Sequence, residues 1–156
     1  ESLIDINLRK ILGLNSTYIF NTFLNFSLID SKYISSDEPG VEGKEVEFVP
    51  KYNIKYGIKF GYKNFTSYLQ YSFLSSQFSD SSNSLESNLS GVIGQIPAYD
   101  ILDLSMNYKF GKIKLETGVN NILNNFYFTR RATGYPGPGI IPSPPRNYYL
   151  TLQYKF

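Results

Sequence analysis

The stretch Asn147-Tyr148-Tyr149-Leu150-Thr151-Leu152-Gln153-Tyr154-Lys155-Phe156 decides the fold. Tyr148, Leu150, Leu152, Tyr154 and Phe156 fall on one face, and Tyr149, Thr151, Gln153 and Lys155 on the other. A period of two is the signature of a strand whose faces meet different surroundings. The pattern recurs upstream. Leu102, Leu104, Met106, Tyr108 and Phe110 oppose Asp103, Ser105, Asn107 and Lys109, and Ile54, Tyr56, Ile58, Phe60 and Tyr62 oppose Asn53, Lys55, Gly57, Lys59 and Gly61. Residues 113–119, 65–73 and 18–28 alternate as well, and Ile4, Ile6 and Leu8 against Asp5, Asn7 and Arg9 extend the pattern over 3–10. That makes about seven strands with almost no helical spacing.

The connections alternate in length. Residues 11–14, 63–64 and 111–112 read as tight turns, whereas 34–47, 79–97 and 122–146 are long and polar or rich in Pro and Gly. Strict alternation places the turns at one end of the sheet and the loops at the other, as in an outer-membrane barrel with tight periplasmic turns and long extracellular loops. Strands of about ten residues tilted near 45° cross the hydrocarbon layer. Aromatics end the apolar face at Tyr62, Tyr108, Phe110, Tyr154 and Phe156, where rings favour the bilayer interface. A half-buried soluble sheet also alternates, so a soluble β-sandwich binding module stays open on periodicity alone.

Composition narrows the function. The 156 residues carry 15 basic and 13 acidic side chains, and the net charge of +2 gives no nucleic-acid footprint. There is no Cys, His or Trp, which removes disulfides, the usual zinc sites, thiol nucleophiles and imidazole bases. No stretch approaches the roughly 18 apolar residues of a spanning helix. No cofactor, metal site or enzymatic chemistry is expected. The chain opens Glu1-Ser2-Leu3-Ile4 directly into alternation, as the interior of a longer protein would.

Several motifs carry a resemblance: Ile96-Pro97-Ala98-Tyr99-Asp100-Ile101-Leu102-Asp103-Leu104, Gly118-Val119-Asn120-Asn121-Ile122-Leu123-Asn124, Tyr127-Phe128-Thr129-Arg130-Arg131, Gly134-Tyr135-Pro136-Gly137-Pro138-Gly139-Ile140 and the terminal strand. Phe48-Val49-Pro50-Lys51-Tyr52 and Gln77-Phe78-Ser79-Asp80 extend it more weakly. Together they resemble the C-terminal end of a TonB-dependent outer-membrane receptor, in the branch that includes ferric-citrate receptors. The resemblance implies that residues 1–156 are the C-terminal part of an all-β, antiparallel transmembrane barrel of 22 strands. It further implies import of a ferric chelate, with energy relayed by the TonB complex through an N-terminal region and plug that have no counterpart here. The partners implied are the outer-membrane bilayer, the chelate, TonB and the barrel assembly machinery. A small passive outer-membrane barrel or adhesin is the competing membrane reading.

Within that frame Tyr148, Leu150, Leu152, Tyr154 and Phe156 form the closing strand and resemble the C-terminal signal read by the assembly machinery. Tyr62, Tyr108 and Phe110 are the interface aromatics. Arg130, Arg131 and Arg146 lie at the loop-side rim, and Arg offers planar paired donors to the carboxylates of an anionic chelate. Neighbours on a regular strand point to opposite faces, so at most one of Arg130 and Arg131 faces the lumen. Gly134 to Pro145, with five Pro and three Gly, is expected to form a semi-rigid connector that cannot continue a ladder. Ser75 to Ser90, with eight Ser, reads as a mobile loop. Lys55, Lys59, Lys109 and Lys114, on the inward face, are expected to meet acidic plug groups or water rather than to make an anion-friendly lumen. Asp100 and Asp103 fall on opposite faces and make no catalytic carboxylate pair.

Overall fold

The computed structural model describes residues 1–134 and 137–156. Its strands are β1 (Ser2–Ile6), β2 (Tyr18–Leu28), β3 (Tyr52–Tyr62), β4 (Phe65–Leu74), β5 (Gln77–Phe78), β6 (Gln95–Ile96), β7 (Tyr99–Phe110), β8 (Ile113–Asn120), β9 (Phe128–Ala132), β10 (Gly139–Pro142) and β11 (Asn147–Tyr154). Seven of them build one sheet in the order β1-β2-β3-β4-β7-β8-β11, every neighbouring pair antiparallel. The seven expected strands are those of this sheet. The two small ladders, β5 with β6 and β9 with β10, lie within the long connections.

The register explains the alternation. Thr22, Ile58, Leu69, Leu104, Val119 and Tyr148 lie opposite one another across six strands, and Tyr18, Tyr62, Phe65, Tyr108, Leu115 and Leu152 form a parallel row at the turn end. Cross-strand neighbours on one face sit close enough to pack, so matching apolar and aromatic rows favours this register over a one-residue slip. The rings of Tyr18 and Tyr62 are 4.7 Å apart, and Phe20 meets Phe60 edge to face at 6.2 Å. On the opposite face the row is Asn21, Lys59, Tyr68, Ser105, Gly118 and Tyr149. Tyr68 Oη there donates to Gln70 Oε1 at 3.1 Å, and Gln70 Nε2 donates to Ser72 Oγ at 3.2 Å.

Two glycines on that face make room for rings. A Cβ on Gly57 would lie 2.2 Å from Cε1 of Phe23, whose ring stacks on Tyr68 at 5.9 Å. A Cβ on Gly118 would lie 2.5 Å from the Leu104 carbonyl oxygen and 2.6 Å from the Tyr149 ring. At the tight turn before β8, Gly111 has φ of 56°, a conformation that costs a residue with a Cβ.

The aromatic rows also set a height. Tyr52 and Tyr62 share one face of β3, ten residues apart and both 39% exposed. At about 3.3 Å per residue and a tilt near 45°, the rings stand roughly 23 Å apart along the membrane normal, against about 25 Å for the apolar band of such barrels.

Three expectations need correction. Residues 3–10 are not all strand: β1 ends at Ile6, and a helical turn, α1 (Leu8–Ile11), follows. Asn7 causes the switch, its side chain accepting from the Lys10 amide at 3.0 Å, as a helix N-cap does. The Pro- and Gly-rich segment does join a ladder, since β10 pairs with β9 from Gly139↔Ala132 to Pro142↔Phe128. A bulge between Ile141 and Pro142 absorbs the proline, which has no N–H to give. The remainder of that expectation touches Tyr135 and Pro136, which lie outside the described residues. Finally, Ser75 to Ser90 is not an unstructured stretch: it contributes β5 and a set of side-chain hydrogen bonds set out below.

Candidate functional site

Among the described residues the buried apolar side chains are Val41, Ile96 and Ala132, and the buried polar ones are Gln77, Asn121 and Arg131. All six sit at the loop end. In the sheet most side chains are half-buried, and at its β11 edge and turn end Leu150, Leu152 and Phe110 are about 70% exposed.

Segment 79–97 is organised around Ser79 and Asp80. Ser79 Oγ bridges the carbonyls of Val92 and Gly94, 3.2 and 2.9 Å away. Asp80 Oδ2 accepts from the Ser84 amide at 3.2 Å and from the hydroxyls of Ser82 and Ser84. Burial pushes this carboxyl up, but the bonds from Ser82, Ser84 and the Gly94 amide outweigh it and hold Asp80 below its ordinary value. The serine richness therefore serves the fold of the segment.

That segment is tied on both sides. Towards 29–51, Asn83 Nδ2 donates to the Glu45 carbonyl at 2.8 Å while Asn83 Oδ1 accepts from the Glu45 amide at 2.7 Å. Phe48 N–H donates to the Phe78 carbonyl at 2.8 Å, holding Phe48 at φ 58°, a conformation rare for a bulky side chain. Beside it, Tyr33 donates to Glu47; that bond, with burial adding to it, raises the phenol above its usual range. Towards the β9–β10 hairpin, Arg131 Nη1 donates to Ser87 Oγ at 2.9 Å and the Gly91 carbonyl at 2.8 Å, and Nη2 donates to the Gln95 carbonyl at 2.9 Å.

Between these pieces lies an open cleft of about 790 Å³, lined by Phe48, Ser79, Val92, Ile93, Thr129, Arg130, Arg131 and Thr133. Both arginines line this cleft and differ in burial: Arg130 is exposed, whereas Arg131 is 7% exposed within the joint. Arg146 is exposed and does not line the cleft, its backbone N–H bonding Asn124 Oδ1 at 3.1 Å.

The Val-Asn-Asn run closes β8. Asn121, with φ of 53° and 2% exposed, donates its amide to Asp103 Oδ1 at 2.8 Å and exchanges bonds with the Asn125 backbone. Asn125 Nδ2 in turn bonds the Asp100 carbonyl and carboxylate at 2.9 and 3.0 Å. Asp100 and Asp103 are thus separate acceptors for two asparagines that fix a turn. At the turn end Lys109 sits in register with Lys114, and Lys114 pairs with Glu116. Lys55 and Lys59 lie in register with Asn25 and Asn21.

Tyr62 and Tyr108 belong to the turn-end aromatic row, and Phe110 continues it opposite Ile113. Tyr148, Leu150, Leu152 and Tyr154 lie on β11, an edge strand bonded only to β8. Phe156 follows it fully exposed, its ring edge-on to Tyr154 at 5.1 Å. Sequence reading missed Phe48, Asn83 and Ser79 as organisers of the cleft. The asparagine carried a faint signal as a turn residue; the strained Phe48 carried none.

The family model for the TonB dependent receptor-like β-barrel matches residues 4–122. The chain belongs to this family. As a TonB-dependent receptor barrel it shares its sheet with solved members. It is similar to the ferric citrate transporter FecA in its unliganded form, with 25% identity and a TM-score of 0.86 over 99% of this chain and 23% of that one. It is also similar to the ferric yersiniabactin uptake receptor FyuA from Yersinia pestis (17% identity, TM-score 0.70, 88% of this chain and 21% of that one). The siderophore receptor PiuA from Acinetobacter baumannii matches at 17% identity and a TM-score of 0.67, over 91% of this chain and 20% of that one. The chain spans about a fifth of the length of these structures. The family is one of outer-membrane transport receptors.

Proposed function

We propose that the chain is the C-terminal barrel wall of an outer-membrane receptor that imports a ferric chelate, of the citrate type, with energy supplied through TonB. The match to a ferric citrate transporter, over 99% of this chain and 23% of that one, carries this reading, because within this chain it runs across the loops as well as the strands. The cleft suits such a cargo. Arg130 is exposed on its wall among Ser79, Thr129 and Thr133, so a carboxylate-bearing complex meets a planar cationic donor flanked by hydroxyls. Arg146 adds positive charge at the same rim without joining the cleft. In this reading β11 is the closing strand, its free edge offered to the first strand of the barrel, and Phe156 is read by the assembly machinery.

The test is uptake of ferric citrate labelled with radioactive iron by cells carrying the intact receptor. Arg130→Ala should raise the half-saturating concentration about tenfold, the loss of one charged hydrogen bond, with the maximal rate kept. Uptake that is indifferent to removing the gene would sink the citrate reading. An immunoblot of outer membranes with antibody against residues 79–97 tests the wall reading: the band should be several times heavier than this chain, as about 22 strands require. A band of this chain's own size would replace the receptor with a small self-contained barrel.

A further inference from the structure

Arg131 combines features that ordinary rim charge does not. It is 7% exposed, its guanidinium lies 5.1 Å from the Phe128 ring centre, and its three bonds go to a hydroxyl and two carbonyls. Among the described residues the one side-chain ion pair is Lys114–Glu116, so this buried cation is held by neutral acceptors alone. Its Nε, like Asp80 Oδ1 in the segment it holds, is buried without a partner among the described residues. A desolvated cation in such surroundings is costly, and the cost is reduced by any negative charge that settles nearby. The joint it makes is tight, since a Cβ on Gly91 would lie 3.3 Å from the Gly139 Cα and one on Gly139 would lie 3.2 Å from the Ser90 carbonyl oxygen. The three acceptors span residues 87 to 95 of one connection, while Arg131 itself stands on the hairpin that supplies Thr129, Arg130 and Thr133 to the cleft.

We infer that Arg131 is a positioning residue of the ligand cleft: its fork bolts segment 79–97 to the β9–β10 hairpin, setting the distance between the cleft walls and the place of Arg130. The inference rests on the receptor reading for its functional half; the mechanical half stands without it. An Arg is required because one planar group must reach three acceptors from a fixed direction, which a single ammonium does not do.

The test uses isolated outer membranes with the full-length protein and a Glu-specific protease, because Glu86 is exposed within the bolted segment. Arg131→Gln and Arg131→Lys should each speed cleavage at Glu86 about tenfold, with the barrel still shifting in mobility on heating. Ser87→Ala, which removes one acceptor, should speed it less. Arg130→Ala should leave Glu86 protected. In uptake, Arg131→Gln should raise the half-saturating ferric citrate concentration and leave the maximal rate, as Arg130→Ala does. Wild-type cleavage rates in Arg131→Gln overturn the bolt, and wild-type behaviour of Arg131→Lys overturns the requirement for a fork. If ferric citrate is not a substrate at all, the protease result still decides the bolt while the receptor reading fails separately.

Discussion

The wall and the loop layer of this molecule are built on opposite plans. In the seven-stranded sheet the large side chains are half-buried or exposed, and its order comes from backbone ladders and matched rows. The loop layer buries apolar and polar side chains alike: Ile96 is 1% exposed, Asn121 2% and Val41 3%. The contrast teaches where each region finds its stability. A wall with an open apolar face is completed by lipid and by further strands, whereas the loops carry their own small core and polar joints.

The contrast can be broken most severely at the end of the wall. Phe156→Ser should lower the amount of folded, heat-modifiable receptor in outer membranes about fivefold or more, because an edge strand is recruited through its unpaired groups and terminal pattern. Normal levels and a normal folding rate would show that Phe156 has no part in assembly. Next in size is Gly118→Ala, expected to cost about 1–3 kcal/mol in denaturant unfolding from lipid vesicles, because the added Cβ meets the rigid Leu104 carbonyl. Gly57→Ala should cost less, since the crowding atoms belong to the Phe23 ring, which can turn away. Equal losses at the two positions would mean that backbone contact is not the limiting factor.

The smallest effect belongs to the loop layer. Asp80 is held below its ordinary value, so its contribution is present at neutral pH and is lost as pH falls through that lowered value. Cleavage at the exposed Leu85 and Leu89 by an acid protease should therefore stay slow through mild acid and rise only below the ordinary aspartate range. Asp80→Asn should be cleaved faster by the Glu-specific protease at neutral pH and show no such rise in acid.

The wall was legible in the sequence because its two faces meet different solvents along whole strands, so Tyr148 to Phe156 or Ile54 to Tyr62 announce themselves by period alone. The loop layer was not. Its order comes from single long-range bonds, such as Asn83 to Glu45 and Arg131 to Gln95, which leave no periodic trace. The Pro-rich composition even pointed away from β10, because a bulge can seat a proline that a regular ladder excludes. Arg130 and Arg131 were legible as residues of interest, while the division of labour between them depends on which way the hairpin turns.

The spacing of Tyr52 and Tyr62 has a consequence for cellular address. A ring-to-ring height of roughly 23 Å falls short of the average hydrocarbon core of about 30 Å, and bacterial outer membranes are thinner than average. Each ångström of hydrophobic mismatch costs a fraction of a kilocalorie per mole, so a wall this short rests badly in a thicker bilayer. In the proposed outer-membrane receptor, the distance between two tyrosines on one strand would act as a ruler that matches the wall to a thin bilayer.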